Sequence, residues 1–196
     1  MRFTAEWYET YTQKKKGRAP TGKPASTTKA TKRQKGIDWL APVIFISVHA
    51  KALAALAKNP DLRKGKQEHF DQVQIFDYFC RNDQNVYDCL YAIPNGGKRP
   101  KKTAAEMEAE GAKRGYPDMG LEIPAGVYHG MRIEQKHGKR KPSDEQAKWL
   151  RRLSAMGFYV VLSFSPDETI NTIKRYVALK PGEGMPAHEN DVFWRE

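Results

Sequence analysis

Two acids and a lysine stand out as a set. Gly115-Tyr116-Pro117-Asp118 ends a turn on a carboxylate, and after a strand-sized gap Met131-Arg132-Ile133-Glu134-Gln135-Lys136 brings a second carboxylate and an ammonium. Successive side chains on a strand point to opposite faces, so Arg132, Glu134 and Lys136 share one face while Met131, Ile133 and Gln135 share the other. Two carboxylates about one strand apart can hold Mg²⁺, which takes oxygen ligands and keeps several waters. The main-chain carbonyl of Gln135 offers a further oxygen. Lys136 would neutralise charge developing on a phosphate or orient an attacking water, and the chemistry these groups suit is phosphodiester hydrolysis. Each residue also has a plainer reading: an Asp after Pro favours a turn, and Glu-x-Lys occurs on solvated strand faces.

The elements that must position these groups follow from periodicity and caps. Lys66 to Cys80 places Phe70, Val73, Phe76 and Phe79 at three-residue spacing, predicting a helix with one apolar stripe and with Glu68 and Asp71 away from it. Val86 to Ile93 reads as a strand ended by the turn Pro94-Asn95-Gly96-Gly97. Thr103 to Lys113 reads as a helix with Thr103 and Glu106 in capping-box spacing. Leu121 to Tyr128 contains an extended piece, and Gly130 leads into the strand of Glu134. Ser143 caps a helix running through Met156, with Gln146 completing the box; Phe158 to Phe164 is a buried strand; Ser165-Pro166 opens a last helix. This order predicts an α/β fold, a mixed sheet with helices on both faces.

Charge and composition restrict the partner and the compartment. The chain has 196 residues and a net charge of +11, and residues 1–36 hold 10 Lys/Arg against 2 acids, or +8 of that total. Their Thr/Ala/Lys/Pro composition lacks apolar periodicity, so a flexible basic arm is expected, with a polyanion as its partner. Residues 37–62 form an accessory segment, apolar from Trp39 to Val48 and helical from Ala50 to Lys58, which is either a docking element or a helical cap on the core. Asp38, His49 and Lys51 interrupt it, which argues against a membrane span. Cys80 and Cys89 are the only cysteines and nothing reads as a secretory leader, so a reduced, cytoplasmic protein is expected. With no CxxC pair and no HxxxH spacing, zinc chemistry is not indicated.

Taken together, Gly115-Tyr116-Pro117-Asp118 and Ile133-Glu134-Gln135-Lys136, with the preceding Ala92-Ile93-Pro94-Asn95-Gly96-Gly97 and the following Lys-rich turn, Ser-capped helix and Gln146, resemble the VRR-NUC branch, phage type, of the PD-(D/E)xK nucleases. The resemblance spans about Lys66 to Lys174. It implies a restriction-endonuclease-like core over residues 63–196 and a Mg²⁺-dependent (or Mn²⁺-dependent) DNA endonuclease, acting as a homodimer on branched DNA such as four-way junctions. It makes Asp118 and Glu134 metal-binding acids, Lys136 the catalytic lysine, Glu68 the first-helix acid completing the metal shell, and Gln146 the polar residue opening the following helix. Gln135 departs from the usual apolar residue, and an amide there needs a hydrogen-bonding partner if it is buried.

DNA contacts are expected from Asn95, Gly96, Gly97, Lys98 and Arg99, from Arg114 and Tyr116 before Asp118, from Lys139 and Arg140, and from Gln146. The Gly96-Gly97-Lys98 run lacks the spacing of a phosphate loop. A less selective nuclease or nickase, and a DNA-binding module with weak catalysis, are the alternatives. Sequence-independent affinity from the arm has a measurable signature, because fewer neutralised phosphates release fewer counterions. Deleting residues 1–36 is expected to flatten the salt dependence of DNA binding; an unchanged slope of affinity against salt assigns the arm another role.

Overall fold

The computed structural model describes residues 46–94, 101–138 and 140–195, the side chains of residues 101–104 excepted. The residues expected to form the basic arm, the segment up to residue 45, residues 95–100 and Lys139 lie outside the described residues.

Helix α1, Val48–Lys58, is alanine-rich and capped by Ser47, whose hydroxyl accepts from the Ala50 N–H at 3.0 Å. It packs on α2, Gln67–Asn82. The expected single stripe of α2 is corrected. Phe70, Asp71, Ile75, Asp77 and Phe79 are its buried residues, and Val73 and Phe76 are only half-buried. A three-residue step falls short of a full turn, so nine residues from Phe70 to Phe79 rotate by about half a circle. Both ends of that sweep are buried because α2 is packed between several elements, including α1 and the central sheet. Asp71, expected away from the apolar stripe, is fully buried between Arg63 and His137.

The first half of the strand expected over Val86 to Ile93 is helix. Asp83 accepts the Val86 N–H at 3.0 Å and starts α3, Gln84–Cys89, leaving β1 only Leu90–Ala92. Helix α4, Lys101–Ala109, begins two residues before Thr103, so Thr103 is not its N-cap. Strand β2 is Met119–Leu121, shorter and earlier than expected, because a tight reversal at Ala125–Tyr128 with Gly126 at φ +58° turns the chain towards β3, Met131–Gln135. Helix α5, Asp144–Ala155, carries the expected Ser143–Gln146 capping box. Strand β4, Tyr159–Ser163, and helix α6, Pro166–Val177 behind the Ser165 cap, follow as read from the sequence.

The sheet order is β1-β2-β3-β4, with β1–β2 and β2–β3 antiparallel and β3–β4 parallel. The parallel pair needs a crossover, which α5 provides. Met131 and Ile133 of β3 join Ile75 and Phe79 of α2 and Ile170, Ile173 and Tyr176 of α6 in one core. A second core on the α5 face unites Ala147, Leu150 and Leu153 with Val160, Leu162 and Trp194. The sheet is therefore covered by helices on both faces, the mixed α/β layering expected. Among the described residues no helix is long and apolar enough to cross a membrane.

The amide of Gln135, 1 % exposed, is satisfied inside this packing: its Oε1 accepts from Thr169 Oγ1 at 2.7 Å and its Nε2 donates to the Lys136 carbonyl at 3.2 Å. Thr169, on α6, is fully buried. This pair ties α6 to the end of β3. Gln135→Leu is expected to lower unfolding free energy by about 1 kcal/mol through the lost partners, and the Gln135→Leu/Thr169→Val double variant by less than the sum of the single losses. Chemical denaturation of the four proteins gives the coupling; strict additivity contradicts it.

Candidate active site

Asp118 enters the site through a turn that only glycine permits. Gly115 has φ +72°, and a Cβ there would lie 2.8 Å from Glu145 Cβ, so the turn packs directly on the start of α5. The β2–β3 register pairs Met119 with Ile133, and its continuation sets Asp118 opposite Glu134. Asp118 Oδ2 accepts from the Gln135 N–H at 3.1 Å, and Gln72 Nε2 of α2 reaches the Asp118 carbonyl at 3.4 Å. The Lys136 N–H donates to Ser163 on β4, so the neighbouring Gln135 N–H and carbonyl face the opposite side, that of Asp118.

Glu134 has no exposed surface. Its Oε1 takes the Lys136 ammonium at 2.6 Å and the Gln146 side-chain amide, while its Oε2 has no hydrogen-bond partner. The Gln146 Oε1 accepts from the Ser143 N–H at 2.9 Å, so one side chain closes the helix cap and also holds Glu134. Lys136 is 9 % exposed. Glu68, Gln72, Asp118, Gln135 and Arg140 line one cleft of about 400 Å³, in which Arg140 stands 3.4 Å from Glu68.

The electrostatics are those of crowded acids. Burial, and then the charge of Asp118, push the Glu134 carboxyl up to about 8, against the pull of Lys136. Burial also raises Asp118, partly offset by the Gln135 N–H and Lys136. Lys136 offsets this crowding only in part, and a bound cation would offset it further. Among the described residues no group of three or more His, Cys, Asp or Glu could by itself cage a metal. Asp118, Glu134 and the Gln135 carbonyl, with Glu68 across the cleft, would offer a sparse all-oxygen set of the chemistry that suits Mg²⁺ or Mn²⁺ with several waters retained.

Of the remaining expected contact residues that are described, only Arg140 lines the cleft. Arg114 is exposed and its carbonyl takes Trp149 Nε1 at 3.0 Å; Tyr116 packs edge-to-face on Trp149 with ring centres 5.0 Å apart. Arg140 is exposed at the cleft, whereas Gln146 is turned inward to Glu134. Asn95, Gly96, Gly97, Lys98, Arg99 and Lys139 lie outside the described residues.

Two features escaped the sequence reading. His137 Nδ1 lies 2.8 Å from the buried Asp71, which also pairs with Arg63, so the chain leaving Lys136 is fastened to α2. Arg132, on the Glu134 face, is buried: its guanidinium lies 4.2 Å over Phe158 and donates to Glu122 at 2.9 Å. The available signal was its place on the same strand face as Glu134.

No family model and no curated protein matches the chain. A solved structure described as "VRR_NUC domain protein" is similar to it, with 26 % identity and a TM-score of 0.53, over 61 % of this chain and 96 % of that one. The mixed α/β fold is therefore VRR-NUC-like.

The raised Glu134 carboxyl sets a pH dependence. Its folded value of about 8 exceeds the ordinary 4.5, so folding favours the neutral acid; the stabilisation is complete below about pH 4.5 and is lost as pH rises towards 8. Metal-free protein in chelator is expected to melt at a lower temperature near pH 8 than near pH 6. Glu134→Gln is expected to reduce that difference, and an identical difference in the variant refutes the assignment to Glu134.

Proposed function

We propose that this chain is a metal-dependent DNA endonuclease that hydrolyses phosphodiester bonds at the Asp118–Glu134–Lys136 centre. The observation that carries the reading is the partnerless Oε2 of the fully buried Glu134, beside Asp118 and Lys136. The likeness to a VRR_NUC domain protein supports a nuclease domain.

Asp118, Glu134 and the Gln135 carbonyl would hold Mg²⁺ or Mn²⁺, with Glu68 completing the shell from α2. When bound, the metal supplies a more acidic water and countercharge to the phosphate. Asp118 is aimed by the Gln135 N–H, and Glu134 by Gln146 and Lys136. An ammonium has three donors, and Glu134 takes one, leaving two to orient the nucleophile or meet a phosphate oxygen. Burial of Lys136 keeps that charge unscreened by solvent. Arg140 lines the cleft, and Arg114 and Tyr116 precede Asp118 in the chain; phosphate contacts from these residues would set register on the DNA without reading sequence. The preferred substrate is branched DNA, and a homodimer would bring two centres to two strands.

The test is cleavage of labelled four-way junction, duplex and single-stranded DNA with Mg²⁺ or Mn²⁺. Wild type is expected to cut junctions only with metal, Lys136→Ala about 10²- to 10³-fold more slowly, and Asp118→Ala at background. Equal cutting by all three proteins overturns the assignment, and no cutting of any DNA by wild type overturns the function. Melting with added Mg²⁺ gives a second readout: stabilisation by the ion is expected in wild type and absent in Asp118→Ala.

A further inference from the structure

Across the sheet, Tyr91 of β1, Gly120 of β2 and Arg132 of β3 form one register row. The next row on the same face, two residues along, is Asp118 and Glu134. Same-face rows are about 7 Å apart along a strand, so Tyr91 stands one row from the two acids.

Its ring is held in an unusual way. It lies over Gly120, where a Cβ would come within 2.5 Å of the phenol, so glycine makes room for the ring against the backbone. Its hydroxyl donates to Glu122 Oε1 at 2.6 Å, and the same oxygen accepts from the buried Arg132, whose guanidinium rests on Phe158. Burial and Glu122 push the Tyr91 hydroxyl up to about 12, so it stays a donor at working pH. Yet the residue is 39 % exposed. A surface tyrosine ordinarily samples several rotamers; this one is fixed by a glycine seat and a charged clamp while part of its ring is open. Arg132 also neutralises Glu122, removing an acid that would repel a phosphate backbone.

We infer that Tyr91 is a preorganised stacking platform for an unpaired nucleobase next to the scissile phosphate. The inference rests on the nuclease reading and narrows its substrate class. A base inside a duplex already has neighbours on both faces; only an unstacked base offers a face to an aromatic ring. Branch points, flaps and single-stranded tails present such bases, and fully paired DNA does not. The stacking needs no hydrogen-bond readout, so the preference is for unpaired structure without a sequence.

Fluorescence anisotropy of the full chain in chelator separates binding from cleavage. The probes are a labelled duplex and the same duplex with a short unpaired flap. Tyr91→Ala and Tyr91→Leu are expected to bind the flap DNA about 5- to 100-fold more weakly than wild type and the duplex with about equal affinity, while Tyr91→Phe, which keeps the ring, stays near wild type on both. Equal loss on both DNAs, no loss on either, or Tyr91→Phe falling with Tyr91→Ala overturns the platform. If wild type binds neither DNA, the nucleic-acid reading falls and this inference with it; if wild type prefers the flap and Tyr91→Ala does too, this inference alone falls.

Discussion

The candidate centre depends on one acid held inside the sheet, where burial favours its neutral form. Moving an isolated carboxylate from water into a protein interior costs about several kcal/mol even after relaxation, and Glu134 has no exposed surface. Lys136 and Gln146 satisfy one of its oxygens, and the other is left without a partner. Lys136 is adjacent because the strand alternates, and Gln146 because α5 starts where the crossover leaves β3. A buried unpaired oxygen is poor for stability and well suited to a ligand.

The opposite face of the same strand bears the cost. Met131 and Ile133 anchor β3 in the larger core, and Gln135 continues their side with an amide that Thr169 satisfies from α6. Strand β3 thus separates two chemistries by a one-residue step: packing towards α2 and α6, charge towards α5. A register slip of one residue would exchange them and leave both faces wrong.

Much of this was legible locally. The alternation of Arg132, Glu134 and Lys136, the Ser143–Gln146 box and the Ser165 cap each depend on residues within a few positions, and the structure has them as read. Errors arose where a distant or competing group decided. Asp83 outcompeted the strand-forming residues after Val86 by capping a short helix. Asp71 reads as a surface acid until His137, 66 positions away, is brought to it. Thr169 gives no sign from its own neighbourhood that it will meet Gln135. Tyr91 looks like one more strand aromatic, and only its pairing with Gly120 sets it apart.

The origins of the cleft walls bear on the order of folding. Asp118 meets Gln135 across 17 positions and Gln146 meets Glu134 across 12, so the acids, the lysine and the start of α5 assemble through short loops with small closure entropy. The other wall comes from α2, and Gln72 reaches Asp118 across 46 positions. A charged half-site can therefore form early in the collapsing chain, and α2 closes it into a cleft only when the long-range contacts are made. The Asp118 side of the centre is thus the part whose surroundings depend on the most distant contact, while Glu134 is enclosed by its sequence neighbours.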